Sequence, residues 1–133
     1  MIARGRDDPG AAERAFESAQ RTVEEDLTQA PDDPKLVAML GLVHAMRNQG
    51  DDAIAAGRRA LELLPISKDA YDGPFVATKL AVIYAQTGQF DSALELLTQL
   101  VRVPNGPTPG TLRIEREWDP LRGNDRFERL TKI

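Results

Sequence analysis

Cysteine is absent from this 133-residue chain, and aromatic residues make up only 5% of it. Without thiols the chain can form neither a disulfide framework nor a thiolate nucleophile. The scarcity of aromatic residues disfavours a β-sandwich, because strands are usually rich in aromatic and β-branched residues. Aliphatic residues and alanine supply most of the apolar content instead, and this balance predicts an all-α fold.

Histidine occurs once, at His44, and the chain contains no glycine-rich phosphate loop and no serine-nucleophile motif. A zinc site would need three carboxylates beside His44, and acidic neighbours such as Asp51 and Asp52 point apart on a helix. We therefore expect no metal, no cofactor, no catalytic residue and no enzymatic activity. An enzyme or small-molecule binder on a helical scaffold is the alternative, and it would need a pocket with convergent polar groups.

Charged residues of both signs are interspersed along the chain, which has a net charge of −4 and no basic stripe. Nucleic-acid binding usually depends on such a stripe, so we expect no nucleic-acid partner. No apolar run approaches the length of about 20 residues that spans a bilayer. The polar N-terminal residues also lack the apolar core of a signal peptide. We therefore expect no membrane association and a cytoplasmic location.

The clearest pattern is in residues 75–104, which read as two amphipathic helices joined by a turn at Gly88. Gly88 can take a positive φ at low cost and so end the first helix, while Asp91 and Ser92 suit the start of the second. Side chains spaced by three and four residues form one face on each helix. They are Leu80, Ile83, Tyr84 and Thr87, then Phe90, Ala93, Leu94, Leu97, Leu100 and Val101.

The remaining residues predict further helices and loops. A helix starts at Asp8 and Pro9 and runs to about residue 30, with an apolar stripe that includes Phe16, Ala19, Val23 and Leu27. Residues 31–34, which contain two prolines and two aspartates, end this helix and cap the next. The other predicted elements are helices at 35–48 (ended by Gly50) and 51–64, a connector at 66–73 and a short helix at 124–133.

Two segments of the chain repeat the same spacing at a distance of 40 residues. Counted from Leu40 and from Leu80, matching positions follow in the same order. The matched pairs are His44 and Tyr84, Ala53 and Ala93, and Ala60 and Leu100. A helical hairpin of this size cannot bury its apolar faces alone, so we expect the two hairpins to stack and share a core.

These positions resemble the tetratricopeptide repeat (TPR), a 34-residue helical hairpin. The second unit matches through Leu80, Tyr84, Gly88, Phe90, Ala93 and Leu97, and the first through Leu40, Gly41, Ala53, Ala60 and Pro65. The 40-residue separation implies about six extra residues, which we place in the connector. His44 and Gly57 depart from the pattern, and Gly57 leaves either a close helix contact or a gap.

The resemblance implies one domain, a short all-α solenoid of antiparallel helix pairs with a C-terminal capping segment. Its expected parts are an N-terminal helix at 9–30, a first repeat at 34–65, a second at 74–104 and a cap at 105–133. The cap resembles the tail that closes TPR segments in some bacterial multidomain signalling and regulatory proteins. Trp118 then packs with Leu121 and Phe127 over the end of the last hairpin, rather than stacking on a ligand.

The same resemblance implies a protein-interaction module that binds a peptide or helix of an unidentified partner protein in a concave groove. The groove residues would be Met39, Leu42, Ala45, Met46, Phe75, Thr78, Lys79, Val82 and Gln86. The apolar members could instead be core residues covered by the N-terminal helix or the cap. Self-association as a homodimer through the helix at 9–30 is a further alternative.

Overall fold

The computed structural model describes residues 9–132, which form helices and loops with no strand. The α-helices within these residues are α1 (Pro9–Gln29), α2 (Pro34–Met46), α3 (Gly50–Leu63), α4 (Asp72–Gln86), α5 (Phe90–Leu100), α6 (Pro109–Ile114) and α7 (Asp125–Leu130). Two 3₁₀ helices, Ile66–Lys68 and Arg116–Leu121, lie between them. The all-α prediction is confirmed, and the expected N-cap Asp8 lies outside the described residues.

The break between α1 and α2 follows from Asp33 and Pro34. The Asp33 side chain accepts hydrogen bonds from the backbone N–H of Lys35 at 2.9 Å and of Leu36 at 3.4 Å. Pro34 occupies the first turn of the helix, where its missing N–H costs nothing. The predicted recapping of the chain at residues 31–34 is confirmed.

The two helix pairs turn in the same way, at Asn48 and at Gly88. Asn48 has a φ of 60° and Gly88 a φ of 81°, both in the left-handed region. In each turn the next residue, Gln49 or Gln89, donates its backbone N–H to a carbonyl five residues earlier, at 2.8 Å. The prediction for Gly88 is therefore confirmed. The prediction that Gly50 ends α2 is wrong, because Asn48 takes the left-handed conformation and Gly50 begins α3.

The long spacing between the two repeats comes from the connector after α3, which contains the 3₁₀ helix Ile66–Lys68 and then Asp69. The Asp69 carboxylate accepts hydrogen bonds from the backbone N–H of Tyr71 at 2.8 Å and of Asp72 at 2.7 Å. These two bonds favour the charged form and lower the pKa of Asp69. Asp69 thus organises the turn from which α4 starts.

Two glycines let α2, α3 and α4 pack closely around Ile83. A Cβ added to Gly41 would lie 2.8 Å from Cδ1 of Ile83, and one added to Gly57 would lie 2.7 Å from Cδ1 of Leu80. Both distances are shorter than real contacts of a Cβ atom. Any residue other than glycine at these positions would therefore force neighbouring atoms to move. Gly57 therefore marks a close helix contact and not a gap.

Helix α1 packs on α2 through a partly buried apolar stripe. Ala12 is buried and Phe16, Val23 and Leu27 are half-buried, but Ala19, predicted to share the stripe, is exposed. A polar link at Arg47 adds to this contact. The Arg47 guanidinium lies 2.7 Å from a carboxylate oxygen of Glu13 and donates to Oε1 of Gln20 at 2.7 Å.

The main core runs from α4 and α5 into the C-terminal residues 105–132, which we call the cap. Trp118, Phe127 and Leu112 are completely buried, and Leu121 almost so. They lie in the same cluster as Leu97 and Leu100. The prediction that Trp118 packs with Leu121 and Phe127 is confirmed. The cap thus covers the apolar end of the second helix pair, which water would otherwise contact.

Candidate functional site

A groove runs along α4, with α2 on one side and the cap on the other. Its larger part is an open pocket of about 920 Å³, and its smaller part holds about 340 Å³. The two pockets adjoin because Lys79, Glu115 and Glu117 line both of them. We call this pair of pockets the groove.

Five of the nine predicted site residues line the groove. Met46, Lys79 and Gln86 line the larger pocket. Phe75, Thr78 and again Lys79 line the smaller one. Phe75 keeps 37% of its surface exposed, so it is an accessible apolar side chain within the groove.

The other four predicted residues line neither pocket. Met39 is 37% exposed and, seven residues before Met46, shares its face of α2. Leu42 is half-buried and packs against core residues. Ala45 and Val82 are buried, at 7% and 1% exposure, so neither is accessible to a partner in this conformation. Val82 belongs to the core cluster that includes Trp118 of the cap. Part of the predicted groove surface is therefore buried in the core.

One wall of the groove comes from cap residues that the sequence did not predict as site residues. In the larger pocket they are Glu115, Arg116, Glu117, Asp119 and Pro120. In the smaller pocket the cap contributes Asn105, Gly106, Pro107 and Thr111, and Tyr71, just before α4, also lines it. The buried Trp118, predicted as a cap residue, was the available signal, because Arg116, Asp119 and Pro120 beside it in the 3₁₀ helix are exposed.

Hydrogen bonds fix this wall in place. The side-chain amide of Gln86 donates to the backbone oxygen of Glu117 at 3.0 Å, joining α4 to the cap. Arg122 donates to the backbone oxygens of Leu112 at 3.0 Å and Glu115 at 2.8 Å, and also pairs with Asp119 at 2.8 Å. One guanidinium therefore ties α6 to the 3₁₀ helix, and the groove wall is preorganised.

The groove contains a half-buried carboxylate, that of Glu117. Desolvation raises the pKa of Glu117, attraction to Lys79 opposes this, and repulsion from Glu115 adds to it. The Lys79 ammonium lies 5.0 Å from the centroid of the Phe75 ring, in a cation–π contact. Charged and apolar groups thus lie close together in the groove.

His44 has a local structural contact, since its Nδ1 lies 2.6 Å from Oε1 of Gln49 in the turn between α2 and α3. Among residues 9–132, no three His, Asp or Glu side chains are grouped as a metal site would require. In the same part of the chain, no helix is long and apolar enough to cross a membrane.

The outward face of α1 bears on self-association. From Gly10 to Gln29, the exposed residues are charged or polar, or are glycine and alanine. The large apolar residues Phe16, Val23 and Leu27 are half-buried, and Leu27 packs against a core cluster that includes Val37 and Ala38. This face offers no large apolar side chain to a second copy.

The stacked antiparallel hairpins with matching turns define an α-solenoid of helical repeats. The tetratricopeptide repeat profile matches residues 1–68, about half of the chain, and the chain therefore belongs to the tetratricopeptide repeat family. The match covers the region of α1, α2 and α3 rather than the second helix pair. No curated protein and no solved structure matches the chain. Tetratricopeptide repeats generally mediate protein–protein interactions and typically act as scaffolds without enzymatic activity.

Proposed function

We propose that the chain is a protein-interaction module that holds a peptide or single helix of a partner protein in the groove. The observation that supports this most directly is an accessible apolar residue in each adjoining pocket, Met46 in the larger and Phe75 in the smaller. Apolar anchors near the centre of an interface usually carry most of the binding energy. Polar groups beside them, such as Gln86 and Thr78, would then fix the register of the bound segment.

The chemistry of the two anchors suits this role. Methionine adapts to differently shaped partners because its side chain is unbranched and polarisable. The Phe75 ring is 37% exposed and would gain about 25 cal/mol for each Å² of apolar surface removed from water. A module that acts only by binding, without catalysis and in the cytoplasm, is the form of this proposal that we favour.

A matched pair of phenylalanine variants tests the proposal. Phe75 lies in the groove, whereas Phe90, 40% exposed, begins α5 and lines neither pocket. We expect Phe75→Glu to abolish capture of partner proteins from the native host and Phe90→Glu to leave it intact, with equal helicity by circular dichroism. A photo-crosslinking amino acid at position 75 should capture the same partner, and one at position 90 should not. Equal capture by both variants would place the binding surface elsewhere.

Leu42, one of the groove residues predicted from the sequence, is not suitable for this test. It packs against two core clusters, so a glutamate there would leave a charge without a partner in a partly buried position. Loss of binding by Leu42→Glu would therefore report on folding and not on the groove. Met46→Glu is the better second variant, because Met46 lines the larger pocket.

A further inference from the structure

We infer that the partner segment carries a lysine or arginine that pairs with Glu115 and Glu117, next to an apolar residue that packs on Phe75. This inference rests on the proposed function and specifies the chemistry of its partner. Glu115 and Glu117 line both pockets of the groove, so a bound segment would pass them wherever it lies along α4.

The charges in the groove favour a cationic partner. Within residues 9–132, neither Glu115 nor Glu117 has a basic side chain within ion-pair distance, whereas Asp119 is paired with Arg122 at 2.8 Å. Lys79 is directed at the Phe75 ring, 5.0 Å from its centroid. Arg116 lines only the larger pocket, which also contains Lys79 and three carboxylates. The smaller pocket contains two carboxylates and one lysine. Two carboxylates of the groove therefore have no cation within ion-pair distance, although Lys79 attracts Glu117 from farther away.

The partial burial of Glu117 increases the cost of leaving its carboxylate without a cation at ion-pair distance. Its carboxylate is half-buried, and desolvation raises its pKa. The fold supplies Glu117 only with the more distant attraction of Lys79. A basic side chain from a partner would bring an opposite charge within ion-pair distance, and a charge pair is stronger once water has been displaced from the groove. Complementary charge of this kind sets partner choice and orientation.

The aromatic residues near these carboxylates suit the same partner. Tyr71, 72% exposed, and Phe75 line the smaller pocket together with Glu115 and Glu117. Lysine and arginine have apolar stems that pack along aromatic rings, and their charged heads are attracted to the ring face. A basic residue could thus lay its stem on an aromatic ring while its head reaches a carboxylate.

The experiment uses the full chain and a phage-displayed library of random peptides of about 12 residues. Peptides selected on the parent protein are synthesised, and their affinities are measured for three variants. The first is the double variant Glu115→Gln/Glu117→Gln. Its matched control is Glu62→Gln/Glu95→Gln, which removes the same charge from exposed positions on α3 and α5. Phe75→Glu identifies peptides that bind in the groove.

We expect groove-dependent peptides to be enriched in lysine or arginine beside an apolar residue. Their affinity should fall about tenfold in Glu115→Gln/Glu117→Gln and stay unchanged in Glu62→Gln/Glu95→Gln. Binding to the parent should also weaken as salt rises, because screening acts on charge pairs at the rim of an interface.

Two results would overturn the inference, and they are distinguishable. Peptides that lose binding in Phe75→Glu but keep it in Glu115→Gln/Glu117→Gln would refute the basic partner and leave the groove as the binding site. If no peptide depends on Phe75, both this inference and the proposed function fail. Sedimentation of the parent and of Glu115→Gln/Glu117→Gln tests whether the groove binds a second copy of the chain. A dimer that forms in the parent and is lost in this variant would show that the partner is a second copy and not a separate peptide.

Discussion

The two helix pairs, α2–α3 and α4–α5, share a turn geometry but differ in how far their first helix is buried. In α4, ten of 15 residues are buried, compared with five of 13 in α2. Helix α4 lies between α2 and α3 on one side and α5 and the cap on the other, whereas α2 has the partly exposed α1 beside it. The first helix of the second pair is therefore more completely covered than that of the first pair.

The second helices of the two pairs differ in what packs against them, the next helix of the stack for α3 and the cap for α5. Gly57 of α3 is so close to α4 that Leu80 and Ile83 occupy the space of a side chain. The corresponding position in α5 is Leu97, which is completely buried in the cluster that contains Trp118 and Phe127. Gly57 thus leaves room for the next helix of the stack to pack closely, whereas the side chain of Leu97 packs in the core shared with the cap.

The largest expected effect comes from a substitution in the cap, which buries α4 more completely than α2 is buried. Trp118→Ala should lower the free energy of unfolding by about 3–5 kcal/mol, because it deletes a completely buried ring from the core shared by the cap and α4. Urea unfolding followed by circular dichroism measures this change. Tyr71→Ala, at a position 72% exposed, is the control and should change stability little. An unchanged urea midpoint for Trp118→Ala would contradict the capping role.

How much of this fold the sequence predicted depends on whether a feature is local. Helical periodicity and the glycine at position 88 predict the helices and one turn, because both act within a few residues. Asn48 was missed as the turn residue because Gly50 offers a stronger glycine signal nearby, although asparagine also tolerates the left-handed conformation.

The candidate site was harder to predict, because it depends on which residues the cap covers. The repeat pattern gave the face of α4 that holds Lys79 and Gln86, both in the larger pocket. It could not show that Val82 on the same helix would be buried in the core that the cap extends. The wall at residues 115–120 has no periodicity of its own, and its position depends on long-range contacts such as the one between Gln86 and Glu117.

A smaller effect is expected where the two second helices differ. Gly57→Ala should lower the free energy of unfolding by about 1–2 kcal/mol, because the new Cβ would lie 2.7 Å from Cδ1 of Leu80 and 3.0 Å from Cδ1 of Ile83. Gly50→Ala is the matched control, since its Cβ would meet Thr87 at an ordinary distance of 3.7 Å. Chemical denaturation compares the two variants. If they were equally stable, the close contact between α3 and α4 would not depend on glycine.

The two turns should respond in opposite directions. Gly88→Ala should destabilise the protein by about 1 kcal/mol, because alanine is strained at positive φ even though no atom lies within 4 Å of its Cβ. Asn48→Gly should be neutral or should stabilise by roughly 0.5 kcal/mol, since it relieves the same strain at a φ of 60°. Thermal melts of both variants check this, and a stabilising Gly88→Ala would show that the two turns are not equivalent.

The smallest expected effect on stability concerns Glu117, which lies in the cap beside α4. Its carboxyl pKa is raised above its ordinary value, mainly by desolvation, with Lys79 opposing the shift and Glu115 adding to it. The folded state therefore favours the neutral carboxyl, and the stability gained from protonation is full below the unfolded-state pKa and lost as pH rises through the folded-state pKa.

At pH 7 the ionised Glu117 should cost stability, and Glu117→Gln should unfold at a higher urea concentration than the parent. Because the side chain is half-exposed and solvent screens its charge, the gain should be only a few tenths of a kcal/mol, roughly. The two proteins should converge as pH falls below the usual range of a glutamate, where the carboxyl is neutral in both states. Glu95→Gln, at an exposed position on α5, should show no such trend. A gain for Glu117→Gln that persists in acid would mean that the groove tolerates this carboxylate without strain, and that another property of glutamine stabilises the variant.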